Sequence, residues 1–589
     1  MPTTVILGTG IIGLSTAYYL SRFAEDEATE GSQTEKHEIH LVEATPELFA
    51  SASGKAAGFL AKDWFQPAVA PLGEFSFGLH RKLAEEHDGR SKWGWSESTS
   101  YSLDRDDDED DEDEEGEPGE LSARHSPNSP SNENIADAGE TARPSRSGRS
   151  RKSDLDWLMS GSSRSTLLDN PIVNSQDKGD LPRWLHARRS SLQPISDRAT
   201  TGQVDPYRLC QFLLQESSAR GVKLHYPARA SQLQHMDPND PSSKTSLRLE
   251  FLDSDPKPIS ELEARSSPNS LSPPAVPRDA PFPLLAVDGA ISDGNPTLSY
   301  RTNPRTLDIP CDSIVIAAGC WTPRVYRALF PNAGRIPRVT ALAGHSIQLR
   351  SKHWPPIPPG DLRTVTQDAA KIGGAASDTA SGPADVSSDF SPPTDTANHV
   401  ASLTSPKPSG AIDSPPVPTT RRDPEQNSSG VQTALVPKLH SCHAVFTNDP
   451  AGYSPEIFSR LSGDIWLGGY NTSSIPLPPL ATQATPHPSS INVLINTGKA
   501  LCGQDVEIIR GGLCFRPVAP TGRPVIAKVH EADLGDGVRV GGGVFVATGH
   551  GPWGISLSLG TGHVVGEMVL GREPSVDVKS LSVWEAQAV

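Results

Sequence analysis

No stretch of this chain strings together the roughly 18 apolar residues of an ordinary membrane-crossing helix. No charged and apolar leader precedes its first strand-like run, TTVILG, and the chain does not end in a peroxisomal SKL tripeptide. A cytoplasmic protein is the expectation. The six cysteines, Cys210, Cys311, Cys320, Cys442, Cys502 and Cys514, never form a CxxC pair, which argues against a structural zinc site and a disulfide framework. Basic charge is not in excess either: the net charge is −18, so nucleic acid is not an expected partner. GxSxG elbows, HExxH helices and paired carboxylates are also missing, which leaves hydrolase and metalloenzyme readings without support. No metal is expected.

What is there is unevenly spread. Asp104 to Glu120 holds thirteen carboxylates and one arginine, so it supplies −12 of the net charge by itself. Pro and Gly contribute 55 and 50 residues, concentrated in three stretches rich in Ser, Pro, Asp and Gly and poor in aromatics. These stretches, 104–185, 255–298 and 353–434, cannot bury enough apolar surface to offset their ordering entropy. They are expected to be disordered inserts, able to dock protein partners, and they carry several Ser-Pro steps. The basic run Arg143 to Lys152 within the first is either a localisation signal or solvated charge. Roughly 400 residues remain, enough for two interlocked domains.

Between the inserts the pattern is α/β. Residues 205–220 read as a helix that ends at Gly221, followed by a short strand from Val222 to Tyr226. Ser313 to Ala318 and residues 543–548 are apolar runs closed by Gly319 and Gly549, as buried parallel strands are. The strongest local signal is Val5-Ile6-Leu7-Gly8-Thr9-Gly10-Ile11-Ile12-Gly13, a strand that enters G-x-G-x-x-G and then a helix. Gly8 permits the tight turn, Gly10 lets the backbone approach a pyrophosphate, and Gly13 lets the helix pack close to the strand. A second strand, Glu38 to Val42, ends in Glu43, beside Ala44, where a carboxylate can accept from ribose hydroxyls. Strand, helix, strand and acid in order make a dinucleotide site.

Further blocks resemble the D-amino-acid-oxidase (DAO) family. The stretch Ser51-Ala52-Ser53-Gly54-Lys55-Ala56-Ala57-Gly58 is similar to the family's small-residue loop, which approaches the flavin of FAD. Gly202 to Pro206 resembles its G-x-V-x-P, and Val315 to Trp321 its strand ending in A-A-G-x-W, with Gly319 and Trp321 at the cofactor. Leu513 to Pro517 with Gly522 to Pro524 resembles its L-R-P-x-T-x-D-G-x-P, except that Thr521 stands where the family often has Asp. Ala547 to Ile555 with Gly560 to Gly562 resembles its C-terminal flavin loop and helix. The strings AAGFLAKDW and PLGEFSFGLHRKLAEE look like a fungal branch of oxidoreductases, some of whose members are connected with endosomal sorting.

The resemblance implies a Rossmann-type FAD-binding domain, a parallel sheet flanked by helices, interlocked with an α+β substrate domain on a mixed or antiparallel sheet. The FAD-binding part is expected at 1–75, 195–235, 308–343 and 510–575, and the substrate part at 76–103, 236–254, 299–307, 344–352 and 435–509. It implies oxidation of an amino acid or amine, with Gly549, Gly554 and Ile555 lending backbone to the flavin and Arg516 holding a substrate carboxylate. Arg516 as a brace on backbone carbonyls is the alternative. His550, Trp553, Trp321 and His345 either line the substrate face or pack in the core, and Trp466 and Tyr470 are weaker candidates. Cys514 falls where some sarcosine-oxidase-like relatives bond the flavin, though a small buried side chain also suits the position. Two other functions stay open: a flavoenzyme acting on a non-amine, and a flavin-bound protein of membrane trafficking without catalysis.

Overall fold

A computed structural model describes residues 1–29, 37–103, 181–186, 192–235, 245–252, 305–357 and 441–588. The run Thr3–Leu7 is buried at every position and pairs in parallel with Glu38–Val42 on one side and Ser313–Ile316 on the other. Burial on both faces is why it reads as unbroken apolar sequence rather than as alternation. Gly543–Thr548 and Lys223–His225 extend this sheet in parallel, and Val525–Lys528 closes it antiparallel, giving six strands.

The helix Ile11–Thr29 leaves the first strand at the glycine turn and packs on the late helix Ser558–Val569. A Cβ on Gly562 would lie 2.4 Å from the Ser15 backbone carbon, so this crossing depends on that glycine. The helix Pro206–Ala219 starts as its sequence dictates: Asp205 accepts from the N–H groups of Tyr207 and Arg208 at 3.0 and 3.2 Å, and Pro206 takes the first turn.

A nine-stranded mixed sheet forms the second layer. Its order runs Glu507–Val518, Thr340–Arg350, Asp464–Thr472, Glu456–Ser459, Cys442–Thr447, Ser96–Leu103, Thr201–Gln203 and Phe59–Ala61, with Leu192–Ser196 paired to Ser96–Leu103. The α/β class with a Rossmann-type layer and a mixed sheet is the fold expected of the sequence.

Several boundaries differ from those expectations. Thr245–Phe251, expected in the substrate part, and Thr306–Cys311, whose expected boundary between the two parts falls after residue 307, form an antiparallel three-stranded sheet with Ala228–His235. Their Leu247, Leu249 and Ile309 share one apolar cluster with Val5 and Ile314 of the Rossmann-type layer. Conversely, Glu507–Val518 and Thr340–Arg350 belong along their whole length to the nine-stranded sheet. Two edges of the expected inserts, 181–185 and 353–357, are also part of the described structure. Trp184 is fully buried, and Trp354 is buried with its indole N–H donating to the Arg460 carbonyl at 2.7 Å. These aromatics recover enough apolar area to anchor 181–186 and 353–357. The acidic run, the basic run and the Ser-Pro steps lie outside the described residues.

Candidate active site

One cavity of about 470 Å³ runs between the two layers, from Glu43 and Ala228 at one end to Trp553 and Phe446 at the other. At the first end the glycine turn is built by backbone contact. Gly8 has φ +111°, and a Cβ there would meet the Ala317 carbonyl oxygen at 2.5 Å. A Cβ on Gly13 would come within 2.0 Å of the Gly8 carbonyl oxygen, so the helix packs on the turn itself as well as on the strand. Gly10 differs: the nearest atom to a Cβ there is the Ser53 hydroxyl oxygen at 3.2 Å, and the space beyond is cavity. Ser53 accepts from the Ile11 N–H at 2.9 Å, which ties the second loop to the helix start.

Glu43 is held firmly. Its Oε2 accepts from the N–H and hydroxyl of Thr9 at 3.2 and 2.7 Å, and its Oε1 from the N–H and hydroxyl of Thr45, both at 2.9 Å. The Thr45 hydroxyl has one proton and a second acceptor, the Glu47 carbonyl at 2.7 Å. Donation to that carbonyl leaves Oε1 able to accept from a ribose hydroxyl.

The loop 51–58 is pinned from behind by the nine-stranded sheet. The Trp466 indole donates to the Lys55 carbonyl at 3.0 Å, Arg460 to the carbonyls of Ala56 and Ala57 at 2.7 and 2.9 Å, and Gln203 to that of Ala57 at 2.6 Å. Planar trans amides then turn the N–H groups of Ala57 and Gly58 the opposite way. Arg460 is buried and forms no ion pair with any described carboxylate; burial pushes its pKa down, opposed in part by the charge of Asp205. A buried guanidinium with only carbonyl partners is costly. It persists where it fixes something else in place.

The flavin-loop candidates lie opposite. Gly549 and Gly551 have φ +75° and +57°, which turns the chain sharply after Thr548. His80 donates to the Ile555 carbonyl at 3.0 Å, and Ser76 to that of Ser556 at 2.6 Å, so the helix Ala70–His87 holds the segment from outside. No described acceptor takes the N–H of Gly554 or Ile555, and both residues line the cavity. His550 is buried and shares a hydrogen bond with Thr561 at 3.1 Å; burial pushes its pKa down to about 3, so it stays neutral. Trp553 packs edge-on against Phe65 at 5.1 Å and also lines the cavity.

The sheet wall carries the remaining charge. Arg516 donates to the Asn471 side-chain oxygen at 2.6 Å and forms no ion pair with a described carboxylate. The pair lies over Gly344, where a Cβ would sit 2.7 Å from the Asn471 oxygen and 3.4 Å from the Arg516 guanidinium carbon. A bulge makes this possible. Between the pairs His345–Tyr470 and Ile347–Leu467 one strand advances two residues and the other three, with Gly469 at φ +99°. The extra residue brings Asn471 onto the same face as Trp466.

Of the residues singled out from sequence, Gly8, Gly10, Ile11, Ile12, Glu43, Ala44, Ser51, Ser53, Ala57, Gly58, Gly319, Trp321, Cys514, Arg516, His550, Trp553, Gly554 and Ile555 line this one cavity, as does Trp466. Gly13, Gly54, Lys55 and Gly549 do not. Lys55 turns its ammonium to the Leu513 carbonyl at 3.1 Å, and burial pushes its pKa down. Gly54 sits where a Cβ would meet the Phe49 carbonyl oxygen at 2.2 Å. His345 accepts from the His487 N–H at 3.2 Å, and neither it nor Tyr470 lines the cavity. The Thr521 hydroxyl accepts from the Arg523 N–H at 3.3 Å, a local turn contact. Sequence reasoning missed Arg460, Asn471, Glu456, Phe458, Phe446 and Ala228 to Ala230. Only Gly468-Gly469, a glycine pair inside a strand-like run, signalled the bulge.

All six cysteines are free and buried, and the described residues contain no cluster suited to a metal. No helix among them is long and apolar enough to cross a membrane. The cavity suits a dinucleotide: space beyond Gly10 at a helix start, a carboxylate at one end and a pinned loop along the wall.

The family model for FAD-dependent oxidoreductases, DAO, matches residues 3–244 and 414–568. A Schizosaccharomyces pombe protein named as an oxidoreductase is 35% identical over 106 residues, covering 18% of this chain and 25% of that one. The Saccharomyces cerevisiae oxidoreductase TDA3 is 38% identical over 102 residues, covering 17% and 18%. These matches thus span a quarter or less of the curated relatives' length. The crystal structure of glycine oxidase from Geobacillus kaustophilus shares the fold, with a TM-score of 0.50 at 14% identity over 99% of this chain and 98% of that one. By the family model, which takes in more than half its length, the chain belongs to the DAO family of FAD-dependent oxidoreductases, and its cofactor is FAD.

Proposed function

We propose that this oxidoreductase removes hydride from the α-carbon of an amino acid or secondary amine. The observation that carries the proposal is Arg516, a guanidinium on the cavity wall whose hydrogen-bond partner is a neutral amide and not a carboxylate. Its planar fork matches a substrate carboxylate with two parallel hydrogen bonds, and Asn471 holds one edge of that fork in orientation. The residues that line the cavity divide between cofactor and substrate. Gly8, Gly10, Ile11 and Ile12 face the pyrophosphate, Glu43 and Ala44 the adenosine ribose, and Ser51, Ser53, Ala57 and Gly58 with Gly554 and Ile555 the flavin.

FAD supplies a two-electron acceptor. The protein's work is positioning and electrostatics. Arg516 fixes the carboxylate, the aromatic wall excludes water, and the α-carbon–hydrogen bond breaks with its electron pair leaving as hydride. A neutral amine that loses hydride becomes an iminium cation, which water hydrolyses after release. The N–H groups of Gly554 and Ile555 lie at the start of the segment leading into the helix Ser558–Val569, where they stabilise negative charge that builds on the acceptor. His550, held neutral, adds no charge there. The test is anaerobic mixing of the flavin-loaded protein with D- and L-amino acids and N-methyl amines. Loss of visible flavin absorbance with one of these supports the reading; reduction by a non-amine alone, or by nothing, favours the non-amine or non-catalytic alternatives.

A further inference from the structure

Strand register gathers an unusual patch on the cavity face of the nine-stranded sheet. Glu456 stands opposite Phe446 on one neighbouring strand and Gly468 on the other. Two pairs along, on the same face, Phe458 stands opposite Trp466. A Cβ on Gly468 would come within 2.2 Å of the Trp466 ring, so that indole lies across Gly468, directly beside Glu456. Phe446, Glu456, Phe458 and Trp466 all line the cavity, and the three aromatics are buried. Phe446 and Phe458 meet edge to face at 5.6 Å, and Phe458 and Trp466 pack at 5.7 Å.

The Glu456 carboxylate, half-buried among these rings, makes no hydrogen bond or ion pair with any described residue. The arginines that line the same cavity are engaged elsewhere. Arg229 pairs with Glu250, Arg324 donates to the carbonyls of Leu477 and Pro478, and Arg516 donates to Asn471. A carboxylate flanked by aromatic side chains is the complement of an ammonium group, which gains both the charge pair and the ring quadrupoles once water is excluded.

We propose that Glu456, with Phe446 and Trp466, binds a second, cationic group of the substrate, so that the substrate is an amino acid with a basic side chain. This rests on the reading that Arg516 takes the carboxylate. The spacing separates the new site from the α-amine. The Arg516 guanidinium sits with Asn471 at the level of Gly344, and Glu456 stands opposite Gly468, three residues from Asn471 on that neighbouring strand, of which the bulge takes up one. Two residues of strand are about 7 Å, with a further strand spacing of about 5 Å across. An α-amine is two bonds from its own carboxylate carbon and cannot span that gap. The ammonium of a lysine-like side chain can, with the α-carbon left between the two anchors.

The experiment uses the flavin-loaded full chain and reads dissociation constants from perturbation of the flavin spectrum, for both enantiomers of lysine, ornithine and norleucine. Norleucine keeps lysine's length and loses its charge. Expected is roughly tenfold tighter binding of a basic amino acid than of norleucine, a preference that falls to about one in Glu456→Gln and partly survives in Glu456→Asp. Equal affinities in the parent protein, or a preference that persists in Glu456→Gln, overturns the proposal while norleucine binding keeps the amino-acid reading. If neither class perturbs the flavin, both fall.

Discussion

The two walls of the cavity are made differently. The Rossmann-type wall presents backbone: glycines, a helix start and N–H groups whose positions depend on what a Cβ would strike. The sheet wall presents side chains, Arg516, Asn471, Glu456 and Trp466, whose neighbours are set by strand register and one bulge. On the reading proposed above, the backbone wall takes the cofactor. A wall of side chains changes its chemistry by single substitutions without disturbing the fold, which suits the substrate side.

Breaking each wall should therefore give a different phenotype. The largest effect is expected from Gly10→Val. A Cβ there meets only the Ser53 hydroxyl, so the variant should fold with a near-parental melting temperature and yet purify without flavin. Gly13→Val, whose Cβ would strike the Gly8 carbonyl, should lose the fold as well. Flavin-to-protein ratio and thermal denaturation, measured together, distinguish the two. Stoichiometric flavin in Gly10→Val contradicts the placement.

On the sheet wall, Arg516→Lys should keep flavin content and stability and lose about 2 to 4 kcal/mol in kcat/KM, because a point charge cannot reproduce the bidentate grip. Carboxylate inhibitors should weaken in parallel. Loss of flavin in this variant would make Arg516 a brace of the cofactor loop instead.

Arg460 joins the walls, since it belongs to the sheet layer and holds the carbonyls of Ala56 and Ala57. Arg460→Met should orphan the Ala56 carbonyl at about 1 to 3 kcal/mol, while the Ala57 carbonyl keeps its bond from Gln203, and the lost desolvation penalty of the charge offsets part of that cost. The expected result is weaker flavin binding by equilibrium dialysis, partly restored in Arg460→Lys. Unchanged flavin affinity in both would show that the two walls are independent.

A smaller, graded effect should come from pH. Burial pushes the pKa of His80 and of His345 down to about 4, below the ordinary histidine value of 6.5. The unfolded chain then binds more protons than the folded one below about pH 6.5. The stability these groups contribute is complete above that value and is lost as pH falls toward 4. Because His80 holds the Ile555 carbonyl, flavin release on acidification should follow the same curve, and His80→Gln should flatten it. Acid release with identical pH dependence in His80→Gln would place the responsible group elsewhere.

The same contrast governs what could be read from sequence. The Rossmann-type wall is local: Gly8, Gly10, Gly13 and Glu43 fall within two strands and the turn and helix between them, and Asp205-Pro206 announces a helix start, so residue type and spacing suffice. The sheet wall is non-local. Asn471 and Arg516 are 45 residues apart and meet only because Gly344 lies between them, while Arg460 reaches across 403 residues to Ala57. Lys55 and Gly54, next to true cavity residues, face the other way because the Trp466 indole fixes the chain direction at Lys55. The insert edges were misplaced because composition averages over windows, whereas a single buried tryptophan, Trp184 or Trp354, is enough to anchor a turn.

The central claim is that Arg516 presents an amino-acid carboxylate for oxidation, and stopped-flow reduction under anaerobic conditions tests it most directly. The account predicts that a substrate amino acid reduces the flavin of the parent protein, that Arg516→Lys slows or weakens this reduction, and that the descarboxy amine reduces both proteins equally poorly. Equal reduction of parent and Arg516→Lys by the amino acid would contradict it.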